Sequence, residues 1–268
     1  MNKFYLGLAV SVFIVALFYA FYLRQPEQVS PVSFEISPPT QVIQVIKESP
    51  PPIQYPVPEI ATEFEPVKPL PMLDESDSTV EEEFKDVVTN TSLSELLLFK
   101  TFIRNFVVII DNLTAKMLPQ KYYFFRPPGG TFMVQLTEDD VIYLDSDNFQ
   151  RYTPFINLIN TLDIDRLAQI YTYLYPLFQE AYVELGYPDR YFNDRLIHVI
   201  DTLLDTKDMS GPVKLVQPKV YYKYADPELE ALNAGQKLLI RIGPQNTTLI
   251  KARLMELKVR LIALNGYR

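Results

Sequence analysis

Apolar positions are unevenly spread along this chain. Residues 4–23 form one uncharged, almost wholly apolar run between Lys3 and Arg24. A helix needs about 20 such residues to cross the hydrocarbon core, where its backbone must satisfy its own polar groups. Tyr5, Tyr19 and Tyr22 fall near the two ends, where membrane interfaces favour aromatic rings. The run predicts a transmembrane anchor over residues 1–24. A cleaved signal peptide calls for a shorter apolar run ending in small residues, and Phe18 suits the position two before Ala20 poorly. Lys3 and the terminal amine, set against Arg24 alone, orient the N-terminus towards the cytoplasm.

From residue 25 the periodicity lapses. Twelve of the 22 prolines lie between Pro26 and Pro71, with no glycine among them. Proline fixes φ and lacks an N–H, so residues 25–72 read as an extended, polyproline-II-like linker. Some 45 residues at about 3.1 Å each reach on the order of 140 Å. Inside it, the apolar clusters Val42–Val45–Ile46, Ile53–Tyr55 and Ile60–Phe64 are candidate docking points for a partner.

Helical spacing returns afterwards and predicts a mainly α globular domain over residues 73–268. Ser92 and Glu95 have the spacing of a capping box. Behind them Leu96, Phe99, Ile103, Phe106, Ile110, Leu113 and Met117 mark one helix ending before Pro119. Residues 131–136 and 141–144 read as a small β-hairpin around an acidic loop. A short helix follows over 148–161, with Pro154 in its first turn. Asp163 opens a long helix with the stripe Ile164, Leu167, Tyr171, Leu174, Phe178, Tyr182 and Leu185; Gly186 and Pro188 end it, and Pro176 predicts a kink or break. Further helices are expected over 190–206, over 226–242 behind the Asp226–Pro227 start, and over 246–265. Residues 215–224 alternate and contain Pro218, which suits an edge strand.

Composition narrows the chemistry. The 268 residues include no Cys and one His, which excludes disulfides, thiol chemistry, Cys–zinc sites and multi-His metal centres. Eight glycines leave little room for phosphate-cradling loops. The net charge of −8 belongs to the linker region: residues 25–90 hold 13 acids and three lysines, whereas residues 91–268 hold 20 acids and 20 bases. A neutral domain without a basic run offers nothing to nucleic acid.

His198 shares a helical face with Asp194, Asp201 and Asp205, a set that would suit a divalent ion or an Asp–His base, but any amphipathic helix collects such residues on its polar face. Glu180 and Glu184 are neighbours on one helix, too close for an inverting hydrolase pair and without the opposed geometry of a retaining one. Asp145, Asp147 and Asn148 begin like a calcium loop that lacks its glycine and closing glutamate. Tyrosine, at 18, is the overused residue. Exposed, it would serve glycan or peptide recognition; otherwise it finishes the edges of the core.

Several words in the domain resemble the domain of unknown function 3014 family of proteobacterial envelope proteins. They include Leu73–Asp74–Glu75–Ser76–Asp77, Arg104–Asn105–Phe106–Val107, Asn148–Phe149–Gln150–Arg151–Tyr152 and Tyr175–Pro176–Leu177–Phe178–Gln179–Glu180. Leu185–Gly186–Tyr187–Pro188, Phe192–Asn193–Asp194–Arg195–Leu196, Ala225–Asp226–Pro227 and Ala234–Gly235–Gln236–Lys237 continue the series. One departure is Asp205–Thr206–Lys207, where the family pattern has Thr-Pro. The resemblance implies a membrane-anchored bacterial protein with a proline-rich spacer and no assigned activity; the residues themselves lead to the expectation of no cofactor. It also draws attention to Arg151, Arg195, Arg241 and Lys237, whose neighbours are polar. Bidentate pairing of such arginines would lock helices together. A pocket, if they line one, would comprise Arg151, Tyr152, Gln179, Glu180, Arg195 and Gln236. The function expected is a non-catalytic, single-pass inner-membrane protein whose periplasmic domain binds another envelope protein or peptidoglycan; the alternative is a carboxylate-dependent hydrolase acting on an envelope glycan or peptide.

Overall fold

The computed structural model describes residues 50–58, 69–85 and 95–263. The expected anchor and Ser92 lie outside these residues. Among the described residues no helix is long and apolar enough to cross a membrane. They form a mainly helical globular domain with one small antiparallel sheet.

A 3-10 turn, Leu73–Glu75, leads into α1 (Asp77–Lys85), which buries Val80 and Phe84. Helix α2 (Phe102–Asn112) is shorter than its apolar spacing predicts. Residues 96–98 are extended instead: Leu98 N–H donates to Phe124 O at 2.7 Å and Arg126 N–H to Leu96 O at 2.8 Å. Thr101, at φ 52°, turns the chain into the helix. The apolar period persists through this stretch because Leu96 and Phe99 still pack on the core, with Leu97 buried between them, without a helix.

Helix α3 (Thr153–Thr161) follows a 3-10 segment, Ser146–Tyr152, and Pro154 occupies its first turn as expected. Helix α4 (Ile164–Glu184) starts where Asp163 predicts, its Oδ1 accepting the N–H groups of Asp165 at 2.7 Å and Arg166 at 3.3 Å. Pro176 does not break it. The proline ring faces solvent, and the burial of Tyr175, Leu177 and Phe178 on either side holds the two halves in one helix. Helix α5 (Phe192–Leu204) buries Phe192, Leu196, Val199, Ile200 and Leu203.

Strands β1 (Val134–Leu136) and β2 (Ile142–Leu144) form the expected hairpin, with Val134 opposite Leu144. The single strand expected over 215–224 is instead a second hairpin, β3 (Lys214–Val216) and β4 (Lys223–Tyr224), giving the order β1-β2-β3-β4. Pro218 has no N–H for a ladder and lies in the connection, so the chain reverses there. The helix expected over 226–242 is also two: α6 (Pro227–Ala231) and α7 (Ala234–Arg241). Asn233 separates them, its side chain accepting from Gln236 N–H at 2.8 Å while its amide donates to Gln236 Oε1. Gly243, at φ +89°, turns the chain beneath the Phe149 ring into α8 (Pro244–Ala263).

Helices α2, α4, α5 and α8 enclose the main core. Phe102, Phe106, Phe178 and Phe192 run through it, with Phe106 5.1 Å from Phe178 between ring centroids. Each fully buried aromatic ring contributes about 2–3 kcal/mol. Leu144, Val213, Leu215, Tyr224, Leu229 and Ile240 form a second, smaller core beneath the sheet.

Candidate functional site

Residues 50–58 belong to the stretch read as linker, yet they lie against the domain. Five of these nine residues are proline, so only Ile53, Gln54, Tyr55 and Val57 carry an N–H. Three of those four donate to the domain. Asp194 accepts Gln54 N–H at 3.0 Å through Oδ2 and Tyr55 N–H at 2.7 Å through Oδ1. The Tyr191 hydroxyl oxygen accepts Val57 N–H at 2.7 Å. Asn193 Nδ2 donates back to Tyr55 O at 2.8 Å. The side chains of Tyr55 and Val57 pack on the main core, whereas Ile53 stays exposed. Tyr173 hydroxyl donates to Pro69 O at 3.2 Å where the described chain resumes.

This seat is built by α4, the connection after it and the first turn of α5. Asn193 is fully buried, and its Oδ1 accepts the Tyr171 hydroxyl at 3.1 Å. The Tyr175 hydroxyl donates to Gln179 Oε1 at 3.0 Å. Gln179 also accepts Phe192 N–H at 2.8 Å and donates to Arg190 O at 2.9 Å, which fixes the start of α5. The Tyr191 ring lies 5.2 Å from that of Tyr175, tilted by 51°. Burial pushes the Tyr171 and Tyr175 hydroxyls well above the usual 10, so both stay protonated donors. Asp194 lies in the first turn of α5, where the helix dipole favours a carboxylate. The seat therefore presents a fixed row of backbone-reading groups to an extended chain.

The six residues named as a pocket from the sequence fall in separate places, and only Gln179 helps to build the seat. Arg151 donates to Gly129 O at 2.8 Å and Gly130 O at 3.0 Å, holding the lead-in to the first hairpin. Tyr152 is buried beside it, with its hydroxyl pKa raised by that burial. Glu180 is exposed. Arg195 Nε donates to Asp111 Oδ1 at 2.8 Å and its Nη2 to Thr114 Oγ1 at 2.6 Å, which ties α5 to the end of α2. Gln236 donates to Thr202 O at 3.1 Å. Lys237 meets Glu230 at 3.3 Å, and the buried Arg241 lies over the rings of Tyr224 and Phe132.

The acidic sets resolve into structural contacts. Asp194 is committed to residues 54–55, Asp201 pairs with Lys258, and His198 is exposed. Glu184 pairs with Arg104 at 2.7 Å, and Asp145 caps a 3-10 segment through Asp147 N–H at 2.9 Å. Among the described residues no group of three or more His, Asp or Glu is placed to hold a metal ion. An apolar void of about 20 Å³ between Phe106, Tyr171, Phe178 and Leu257 holds about one water's volume.

The spacing grouped Asp194 with His198 as the polar face of a helix, and neither Tyr191 nor Asn193 stood out from the sequence as a site residue. The available signal was a buried-type Asn–Asp pair at a helix start, together with a tyrosine among prolines upstream.

A model of the family described as "Protein of unknown function (DUF3014)" matches residues 102–258, more than half of the chain. No curated protein and no solved structure matches it.

Proposed function

The chain belongs to the DUF3014 family, and from that premise we propose that it is a non-catalytic adaptor of the bacterial cell envelope, held in the inner membrane by residues 4–23, whose periplasmic domain binds another envelope protein. The observation that carries this reading is the row of hydrogen bonds from Asp194, Asn193 and Tyr191 to an extended backbone. Such a row recognises protein chain, and pre-positioned acceptors lower the cost of ordering what binds them. The apolar run at residues 4–23 and the proline-rich spacer support placing that surface away from the membrane.

The test is in vivo photo-crosslinking from probes at Glu180 and Arg190, exposed residues beside the seat. One dominant adduct with an envelope protein is the expected result. The absence of any adduct from intact, correctly inserted protein would remove the adaptor reading. A reporter fused after Arg268 that works only in the cytoplasm would overturn the periplasmic placement.

A further inference from the structure

Resting on that adaptor reading, we infer that the seat is a receptor for an extended, proline-flanked peptide centred on tyrosine, and that residues 50–58 are its intramolecular occupant, which a partner protein's segment of the same chemistry displaces.

Among the described residues, the polar contacts made to the occupant reach its backbone: two N–H groups on one carboxylate, a third on a phenol oxygen, and one carbonyl on a buried amide. No hydrogen bond among the described residues reads the Gln54 side chain, and Ile53 is exposed. What the seat selects is an extended chain with donors at three positions and a backbone that tolerates prolines between them. Pro56 and Pro58 fill positions where no N–H is called for, and proline holds the chain extended before it binds. Side-chain selection comes from Tyr55 and Val57, the residues that reach the core.

The receiving side is fixed independently of the occupant. Asn193, Tyr171, Tyr175 and Gln179 bond to one another and to the start of α5. The seat also lies inside the family-matched residues 102–258, whereas the occupant lies outside them, so the two are separable parts of the chain. Ten residues, 59–68, join the occupant to the domain side. Such a short connection gives an effective concentration of about millimolar, which a partner segment must exceed by affinity or number.

The experiment uses the full chain in lipid nanodiscs and a fluorescein-labelled synthetic peptide with the sequence of residues 50–58. The wild-type chain should bind it weakly. Gln54→Pro with Val57→Pro removes two of the three N–H donors from the occupant, opens the seat, and should tighten peptide binding at least tenfold. Adding Asp194→Ala should abolish that gain. Tyr191→Phe, which removes the hydroxyl that accepts Val57 N–H and meets Tyr175, should also reduce that gain several-fold, and it replaces the alanine variant in the test if that variant folds poorly. No peptide binding by the opened chain, with its thermal transition unchanged, overturns the proposal. Crosslinks from Glu180 that persist in that case would leave the adaptor reading standing and remove only the peptide assignment. A dimer of the wild-type chain that the two proline substitutions dissolve would make a second copy the occupant, and would equally overturn the assignment to a partner protein.

Discussion

The carboxylate of Asp77 accepts the N–H of Phe102 at 2.9 Å, across 25 residues of chain, and that of Thr101 at 2.6 Å. The first residue of α1 thus caps α2. A helix start leaves N–H groups without partners, and a carboxylate there also meets the positive end of the dipole. Replacing Asp77 with Ala should cost about 1–2 kcal/mol, with Asp77→Asn intermediate. Urea midpoints for both variants check this, and an unshifted midpoint for the alanine form would refute it.

Gly235 lies in the first turn of α7, where helix propensity favours alanine by about 1 kcal/mol. Packing reverses the sign. A Cβ there would stand 2.5 Å from Leu203 Cδ2 and 3.2 Å from Leu113 O. Gly235→Ala should therefore destabilise by about 1–3 kcal/mol, the usual range for overfilling a packed interface. A thermal melt showing a gain would mean that the junction of α7 with α2 and α5 is looser than its distances indicate.

Arg195 spreads its guanidinium over the Asp111 carboxylate, the Asp111 carbonyl and Thr114 Oγ1. Lysine keeps the charge but cannot reach all three with a planar fork. Arg195→Lys should lose about 1–3 kcal/mol. Equal stability of the two forms in chemical denaturation would reduce this contact to surface charge.

Burial raises the hydroxyls of Tyr224 and Tyr182 to about 12, from 10. In the unfolded chain they lose protons near 10, whereas the native state holds them to about 12. The unfolded state therefore binds fewer protons in that window, and stability is complete below pH 10 and falls as pH rises to 12. Each tyrosine contributes about 2–3 kcal/mol to the fall. Absorbance at 295 nm should show these groups ionising together with unfolding. Complete titration near pH 10 with the circular dichroism unchanged would contradict this.

Hydrogen exchange gives a direct reading of the seat. The amides of Gln54, Tyr55 and Val57 should exchange slowly in the wild-type chain, and those of Gln54 and Tyr55 should exchange at least tenfold faster in Asp194→Ala. The amides of α4 should not change. Equal rates in both proteins would mean that Asp194 does not hold the segment.

Elements that bury one face against the core were legible in the sequence. Helices α4 and α5 and the first hairpin follow from spacing and from the Asp163 cap, because burial imposes a period. Residues 96–99 misled for the same reason: Leu96, Leu97 and Phe99 pack on the core without forming a helix, while Leu98 is exposed. The break between α6 and α7 had a signal, Asn233 and Gln236 at capping-box spacing, hidden within an apolar pattern that runs through it. The seat was largely illegible. Its bonds go to backbone atoms, which carry no residue code, and they join positions about 140 residues apart. Proline content describes a free spacer and a docked one equally well.

That docking also has a mechanical side. Tension on the chain upstream of Pro50 meets the four hydrogen bonds at Asp194, Asn193 and Tyr191 before it reaches α1. The seat acts as a fuse that takes the load at the start of α5 and spares α1 until the segment parts. Once it parts, the nine residues 50–58 leave the seat as a segment that spans at most about 30 Å, and the pull passes on along the chain to α1.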